Sequence, residues 1–388
     1  VFRAPKSYTG EDGMDITCHG GIAAGRAVLE TLRRCGFRTA LPGEFTFRAF
    51  INGKIDLTRA EAVMEIVSAK SDAGRGRAVT RLSGVLEREI RHINSILLDA
   101  LTEVELLLDY SELDGVTAED ETLPSRERVA EALSRLSALQ RSYRAEKLYR
   151  DGALVVIAGK PNAGKSSLFN LMLREERAIT SEVPGTTRDW IEGWISIEGI
   201  PVRMVDTAGL REAGGKVERL GIERSFDRLG EADLIVLTLD GASVPAEELA
   251  READAFSSRW RKTPVIAVWN KADLERPPET GGRFVAVSAK TGEGSGVLYS
   301  NIVRVLSGAA GAPADGSGVA LGSGRQKELI DGAVSALETV VALGGEALPA
   351  DLVAPFIREA VNCLGGITGE VSTADILEAM FSRFCVGK

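Results

Sequence analysis

A glycine-rich run, G-K-P-N-A-G-K-S at 159–166, constrains the fold of this chain more than any other feature. It follows an apolar segment at 154–158 and precedes a helical pattern at 167–173, the setting of a phosphate-binding loop. In such a loop the glycines let the backbone fold around a phosphate chain, and main-chain amides face the anion. Lys165 can then reach the β- and γ-phosphates, and Ser166 can bind Mg²⁺. The sequence therefore predicts a nucleoside triphosphate site.

A second motif indicates which base is bound. It follows the apolar run at 265–269, resembles the guanine-reading N-K-x-D motif of GTPases, and consists of Asn270, Lys271, Ala272 and Asp273. The Asp273 carboxylate can accept hydrogen bonds from N1–H and the exocyclic amine of guanine, whereas adenine has no such donor pair. Charge-assisted hydrogen bonds contribute about 1.5–3 kcal/mol each, so GTP is expected rather than ATP. The loop expected to back the base consists of Ser288, Ala289 and Lys290.

Two further segments are expected to surround the phosphates. The D-x-x-G form after the apolar run at 202–205 predicts that Asp206 contacts Mg²⁺ through water and that the Gly209 amide senses the γ-phosphate. Thr187 is the expected second hydroxyl ligand of Mg²⁺, beside Ser166. The remaining GTP contacts are predicted at Asn162, Ala163, Gly164, Ser167, Ser181, Glu182, Val183, Pro184, Gly185, Thr186, Thr207 and Ala208.

Composition and cysteine usage predict a cytoplasmic, multi-domain enzyme. A chain of 388 residues, 44% of them hydrophobic, exceeds what one core supports, so two or three domains are expected. The four cysteines form no C-x-x-C pair and no metal-ligand spacing with the two histidines, which favours a reducing compartment. The sequence contains no apolar stretch of membrane-spanning length and no signal pattern. The net charge of −9 predicts that any RNA contact is local or made by a partner.

Changes in hydrophobic periodicity divide the chain into five segments. They are a partial α+β N-terminal domain at 1–52, a first helical part at 53–150, a GTPase module at 151–308, a Gly/Ala/Ser-rich linker at 309–324 and a second helical part at 325–388. Strands alternate with helices in the module, which favours a mainly parallel sheet with one antiparallel strand added by a hairpin. The predicted fold is an α/β P-loop GTPase module with a mixed sheet, inserted into an all-α domain. Because the first residue is valine, the chain is expected to begin within a domain.

Further motifs lie at both ends of the chain and inside the module. They are Y-T-G-E-D at 8–12, H-G-G at 19–21, P-G-E-F at 42–45, N-G-K at 52–54, G-T-T-R-D at 185–189, D-T-A-G-L-R-E at 206–212 and C-V-G-K at 385–388. With the phosphate loop and its Asn162, they resemble the MnmE (TrmE) family of tRNA-modification GTPases along essentially the whole chain. The resemblance implies a homodimer, or a heterotetramer with the FAD-binding partner MnmG (GidA). It also implies 5-carboxymethylaminomethyl or aminomethyl modification of the tRNA wobble uridine, with 5-formyltetrahydrofolate or a related folate as one-carbon donor.

The residue after D-x-x-G bears on how GTP is hydrolysed. Many small GTPases place a water-orienting glutamine there, whereas this chain has Leu210, which cannot orient water. One solution is an arginine finger from another protein, worth about 10³–10⁵ in rate. The resemblance implies a different one, a K⁺ ion held at the phosphates by Asn162, Ser181, Val183 and Thr186. It also implies that Glu218 holds the attacking water, although the sequence alone favours an ordinary solvated glutamate near a helix start.

The last segment carries a second chemical candidate. Cys385 is expected to be exposed, and a neighbouring Lys388 would lower the pKa of its thiol. With the resemblance, the predicted catalytic residues are Glu218, Cys385 and Lys165. The resemblance also implies folate contacts at Asp15, Lys54 and Lys388, whereas the alternative for Lys54 is a solvated residue in an Asn-Gly turn. Cys363, between apolar neighbours, is expected to pack in a core.

Two basic clusters, at 75–91 and 141–150, are candidate tRNA contacts. Charge runs on helices are commonly only solvated faces, so this interpretation stays open. Other functions that fit the chain are a ribosome-assembly GTPase acting as a conformational switch, and a helical scaffold in which nucleotide is structural. The split helical domain and the cysteine motif favour tRNA modification, and the sequence shows no RNA-binding module of the KH type.

Overall fold

The computed structural model describes residues 1–110, 123–175, 192–206, 230–278, 282–310, 319–343, 350–371, 374–382 and 384. The chain divides into two compact units. The first, called the helical unit, contains Val1–Val67, Ala78–Gln140 and Ser317–Lys388. The second, called the GTPase unit, contains Ser68–Arg77 and Arg141–Gly316.

Helices come first along the chain. They are α1 (Ile22–Arg34), α2 (Glu44–Ile51), α3 (Leu57–Ser68), α4 (Asp72–Leu82), α5 (Val85–Tyr110) and α6 (Leu123–Asp151). The sheet and its helices follow as β1 (Ala153–Ala158), α7 (Lys165–Glu175), β2 (Glu192–Ile197), β3 (Ile200–Asp206), β4 (Leu234–Asp240), α8 (Ala246–Arg259), β5 (Val265–Asn270), β6 (Val285–Ala286) and α9 (Ser295–Ala310). The last helices are α10 (Gly324–Leu343), α11 (Ala350–Thr368) and α12 (Ala374–Phe381). Among the described helices, none combines the length and the apolar character that a bilayer crossing requires.

The long helix α5 forms because its apolar residues recur at helical spacing and make one stripe. Hydrophobic periodicity predicted helices in the segment 53–150, and the structure shows that the members of this stripe are buried, namely Leu86, Ile90, Ile93, Leu97, Leu101 and Val104. The stripe belongs to a helix that packs against α11, and α11 also packs on α10. Each fully buried leucine or isoleucine contributes about 1.5–3 kcal/mol, so this contact is a principal source of stability in the helical unit.

A buried polar cluster, the Glu61 clamp, joins α3 to α10. The Glu61 carboxylate accepts hydrogen bonds from Arg325 Nε and Nη2 at 2.9 and 3.0 Å, and another from Gln326 Nε2 at 2.5 Å. Arg325 also donates to two main-chain carbonyl oxygens at the end of α11, at 2.6 and 3.2 Å. Residues 264 positions apart are thereby joined around one carboxylate, and the two parts of the helical unit are fixed to each other.

The GTPase unit is built on a six-stranded sheet in the order β2-β3-β1-β4-β5-β6. Among the described strands of this sheet, only β2 and β3 pair in antiparallel fashion, which confirms the predicted hairpin on a mainly parallel sheet. The side chains of β1 alternate between two apolar clusters, with Val155 and Ile157 in one and Val156 and Ala158 in the other. Since β1 lies between β3 and β4, the carboxyl ends of the parallel strands meet at one edge.

The end of α3 and the start of α4 belong to the GTPase unit, although helical periodicity runs through them. Lys70 Nζ lies 3.9 Å from the centroid of the Trp194 ring on β2. The guanidinium of Arg77 lies 3.9 Å from the centroid of the Tyr149 ring near the end of α6. These cation–π contacts attach a helical segment to the hairpin and to the last turns of α6.

Candidate functional site

The phosphate loop joins β1 to α7, as the sequence predicted. Its backbone is left-handed at Asn162, with φ 64°, and at Gly164, with φ 91°. A Cβ on Gly164 would lie 2.1 Å from Asn270 Nδ2, so only glycine fits this position. The same Nδ2 donates a hydrogen bond to Ala163 O at 2.8 Å. The base motif is therefore bonded directly to the phosphate loop.

Lys165 and Ser166 begin α7 at the end of this loop. The Lys165 side chain is buried, and Nζ donates to Lys160 O at 2.8 Å. Ser166 Oγ donates to Asp206 Oδ2 at 2.8 Å. Asp206 is buried at the last position of β3, which lies beside β1. The structure thus brings together the hydroxyl and the carboxylate that the sequence assigned to Mg²⁺, and both present the oxygen atoms this ion prefers.

The base motif begins at the last residue of β5. The buried Asn270 side chain also accepts a hydrogen bond from Ala289 N at 3.0 Å, so it contacts the loop expected to back the base. Ser288 Oγ donates to Asp273 Oδ1 at 2.6 Å and orients the carboxylate that is expected to read guanine. Lys290 is exposed on the same turn. Both motifs predicted for guanine recognition are thus adjacent and hydrogen-bonded to each other.

Sequence reasoning missed the ionic partner of Lys271. Lys271 is left-handed, with φ 64°, and its Nζ lies 2.6 Å from Asp240 Oδ2. Asp240 ends β4, directly beside β5 in the parallel register. The position of Asp240 in the sequence could have identified it, because an acidic residue that ends an apolar strand lies at the edge where parallel sheets bind ligands.

Many predicted contacts lie outside the described residues. They are Ser181, Glu182, Val183, Pro184, Gly185, Thr186, Thr187, Thr207, Ala208, Gly209, Glu218, Cys385 and Lys388, together with Leu210. In the parts of the chain that the structure describes, no three His, Cys, Asp or Glu side chains are grouped as a metal site. The described nucleotide site therefore consists of the phosphate loop, Asp206, the base motif and the loop that backs it.

Two predicted folate contacts lie in the N-terminal segment. Lys54 is exposed, yet its Nζ donates to Pro5 O at 2.8 Å. Its alkyl chain covers Gly10, where a Cβ would lie 3.2 Å from Lys54 Cγ. Asp15 is exposed in the segment before α1. Lys54 therefore fixes the turn after α2 to the first residues of the chain.

Cys363 lines a cavity rather than a core, so the expectation of a packed core residue is wrong. The cavity has a volume of about 890 Å³ and is lined mainly by residues of α10 and α11. Cys363 is half-buried at the edge of the apolar face, whereas the next residue, Leu364, points into the core and is fully buried. Burial, followed by the nearby charge of Glu359, raises the pKa of the Cys363 thiol.

The two basic clusters differ in how their charges are balanced. In the first, acidic side chains form ion pairs with Arg75, Arg77, Arg81 and Arg91. In the second, Arg150 pairs with Asp151. The exposed cations of the second cluster are Arg141, Arg144 and Lys147 on α6. The second cluster is the better candidate for binding an anion.

Comparisons with known proteins agree with these motifs. The family model described as the MnmE helical domain matches residues 57–385, and that of the GTP-binding protein TrmE N-terminus matches residues 1–54. The tRNA modification GTPase MnmE of Treponema denticola is 40% identical over 399 residues, which cover all of this chain and 84% of the relative. The proteins of the same description from Carboxydothermus hydrogenoformans and Syntrophus aciditrophicus are 39% and 41% identical to this chain. Both alignments include all of this chain, and they include 84% and 85% of the respective relative.

Among solved structures, the G domain of the T. maritima FeoB iron transporter is 26% identical to this chain, with a TM-score of 0.29. The alignment includes 40% of this chain and 99% of the FeoB domain. The relatives and the motifs together confirm that the chain is a GTP hydrolase. Because a family model covers most of the chain and the relatives are similar along all of it, the chain belongs to the MnmE (TrmE) family of tRNA modification GTPases.

Proposed function

We propose that this chain hydrolyses GTP in a K⁺-stimulated reaction and thereby takes part in modification of the tRNA wobble uridine. The observation that carries the nucleotide part is Asn270, whose amide is bonded to Ala163 in the phosphate loop and to Ala289 behind the base, at 2.8 and 3.0 Å. One buried side chain therefore sets the distance between the two halves of the nucleotide site. The tRNA part is supported by the relatives, which are named tRNA modification GTPases.

The phosphate loop is proposed to bind the triphosphate and Mg²⁺. Main-chain amides at the start of α7 face the anion, and Lys165 exchanges the Lys160 carbonyl for phosphate oxygens. The residues that would hold Mg²⁺ are Ser166 and Thr187, through their hydroxyl groups. Asp206, whose Oδ2 lies 2.8 Å from Ser166 Oγ, would support the ion through a hydrogen bond from bound water. The side chain of Asp273 reads the guanine edge.

The proposed K⁺ site is built on Asn162. This residue carries an amide oxygen at an exposed, left-handed position of the phosphate loop. The other proposed ligands are Ser181, Val183 and Thr186. When bound, Mg²⁺ and K⁺ would supply positive charge that offsets the negative charge developing on the phosphate oxygens during hydrolysis. Glu218 is proposed to orient the attacking water, since Leu210 cannot do so.

The test of this proposal is GTP turnover in matched K⁺ and Na⁺ buffers. Turnover should fall by a large factor in Na⁺ while nucleotide affinity hardly changes, because the ion acts on charge that develops in the transition state. Asn162→Ala should lose the response to K⁺. The matched control is Asn170→Ala, an exposed position on α7 outside the motif, which should keep it. Equal turnover of the native chain in the two salts would return attention to an arginine finger.

The chain is proposed to act in the cytoplasm, as a homodimer or in a heterotetramer with the FAD-binding MnmG (GidA) partner. Cys385 is the proposed nucleophile of the modification step. The proposed folate contacts are Asp15, Lys54 and Lys388, of which Asp15 and Lys54 lie in the segment that matches the TrmE N-terminus. The exposed cations on α6 are the proposed tRNA contacts.

Replacing Cys385 separates the two activities. Cys385→Ser should abolish wobble-uridine modification in cells while GTP turnover of the purified variant stays near normal, because the thiol is remote in sequence from every phosphate contact. Cys363→Ser is the matched control and should keep both activities. Full modification by the Cys385 variant would remove the thiol from the chemistry. Intact uridine modification in cells that lack the whole chain would instead favour the ribosome-assembly function.

A further inference from the structure

The ion pair between Lys271 and Asp240 lies at the edge of the sheet where the base motif begins. The two strands end together, with Asp240 of β4 opposite Asn270 of β5 in the parallel register. Lys271 follows directly, and its Nζ lies 2.6 Å from Asp240 Oδ2. The two side chains are 32% and 17% exposed, so the pair is partly screened from water.

Asp240 is itself held in place from several directions. Its Oδ1 accepts a hydrogen bond from Ala242 N at 3.2 Å, and the Ser243 side chain donates a further one. The next residue is also fixed, since Gly241 N donates to Asn270 O at 3.1 Å. Burial alone would raise the pKa of Asp240, but the hydrogen bond from Lys271 and the other donors hold it below its ordinary value. The carboxylate is therefore charged and fixed at neutral pH.

Lys271 is consequently restrained at both ends. On one side its backbone adjoins Asn270, which is bonded to the phosphate loop, and two residues later Asp273 is bonded to Ser288. At the far end of the side chain, Asp240 holds the ammonium group. Lys271 therefore stands in the chain between Asn270, which is bonded to the phosphate loop, and the carboxylate of Asp273, which is expected to read guanine. An alkyl chain in that position can contact the flat face of a base.

We propose that Asp240 is a positioning residue for nucleotide binding, which holds the Lys271 side chain in advance as one wall of the base pocket. Lysine has large rotamer entropy, and a ligand that must order it loses affinity. Asp240 removes that loss by ordering the side chain before the nucleotide arrives. The inference rests on the GTP site but adds a residue that none of the nucleotide motifs contains.

The proposal predicts how affinity and base selectivity change. Asp240→Ala should weaken GDP binding about five- to tenfold, with Asp240→Glu restoring part of the loss. A wall contacts the face of the base and not its edge, so GDP and inosine diphosphate should weaken by the same factor. Affinity is measured by titration of the full chain with fluorescent analogues of the two nucleotides.

A double-mutant cycle separates positioning from general structural support. Lys271→Met should lower GDP affinity to a similar extent, and Asp240→Ala added to Lys271→Met should cause no further loss. Asp254→Ala is the matched control, because it removes an ion pair with Arg283 from the same unit without touching a nucleotide motif. It should leave affinity unchanged.

Two results would overturn the proposal. One is that the Asp240→Ala variant binds GDP with the same affinity as the native chain. The other is an equal loss from Asp240→Ala with and without Lys271, which would mean that the carboxylate acts through the fold. Failure of the native chain to bind GDP would instead overturn the nucleotide site itself, so the two failures are distinguishable.

Discussion

Replacing Asn270 tests whether one side chain really holds the nucleotide site together. Asn270→Ala removes the hydrogen bonds to Ala163 O and from Ala289 N, and it leaves both main-chain groups without these partners. An unsatisfied buried polar group costs about 1–3 kcal/mol, so with two such groups the GTPase unit should lose about 2–6 kcal/mol of its free energy of unfolding. Guanine-nucleotide affinity should fall as well, since the hydrogen bond that orders Gly164 and its neighbours is removed.

The assay is urea unfolding followed by tryptophan fluorescence. All four tryptophans of the chain belong to the GTPase unit, so the signal reports that unit alone. Asn301→Ala is the matched control, because its amide bonds only to exposed groups of its own helix in the described structure, donating to Val297 O and accepting from Arg304 Nη2, and it should change stability by less than about 0.5 kcal/mol. A loss below about 0.5 kcal/mol in Asn270→Ala would refute the reasoning.

A charged variant at the same position gives an independent check. In Asn270→Asp, one carboxyl oxygen still accepts the hydrogen bond from Ala289 N. The other replaces the amide nitrogen and places a second acceptor against the acceptor Ala163 O. The introduced carboxyl can donate to that oxygen only when it is protonated, so its pKa in the folded state should be raised. Stability should therefore recover as the pH falls through that raised pKa and be lost again as the pH rises. A pH-independent loss would contradict the assigned hydrogen-bond pattern.

Three further predictions concern the rest of the chain. Glu61→Ala should destabilise the helical unit by about 3–5 kcal/mol, and Glu61→Leu with Arg325→Met should cost much less, as measured by circular dichroism during thermal unfolding. Glu44 has a pKa of about 2, chiefly because Arg38 donates hydrogen bonds to it and because the Leu41 amide donates another. Its contribution to the free energy of unfolding is therefore complete above its ordinary pKa of 4.5 and is lost as the pH falls towards 2. Glu44→Gln should remove this part of the loss of stability in acid, as measured by unfolding at a series of pH values. The double variant Arg144→Glu with Lys147→Glu should weaken tRNA binding. It should also reduce the slope of log affinity against log salt concentration by about 1 for each phosphate group that the variant no longer neutralises. Unchanged binding would mean that these side chains only contact solvent.

The parts that sequence predicted are those set by local patterns. Periodicity located the buried stripe of α5, and the β2–β3 hairpin followed from two apolar runs around a short turn. Ser166 and Asp206 could be paired in advance because the phosphate loop that carries Ser166 follows β1, Asp206 ends β3, and these two strands are parallel neighbours in the sheet. In these cases the information lies within a few residues of the element concerned.

Long-range partners could not be predicted in the same way. The Glu61 clamp joins residues 264 positions apart, and nothing in the neighbourhood of either residue specifies the other. The attachment of Lys70 to Trp194 was likewise missed, because periodicity identifies the apolar face of a helix but not the surface that a cation at its end will meet. The pair of Lys271 and Asp240 was within reach, since strand order alone would have brought them together.

The contact between α5 and α11 has a consequence for synthesis of the protein on the ribosome. Its partners are far apart along the chain, as the pair of Glu105 on α5 and Arg358 on α11 illustrates with a separation of 253 positions. At translation rates of about 5–20 residues per second, the apolar stripe of α5 waits about 13–50 s for its partner helix to emerge. Most of the GTPase unit is contiguous in sequence and can fold during that interval. The nascent chain therefore keeps the surface of α5 that packs on α11 exposed throughout that interval, which makes this surface a potential contact for a chaperone during translation.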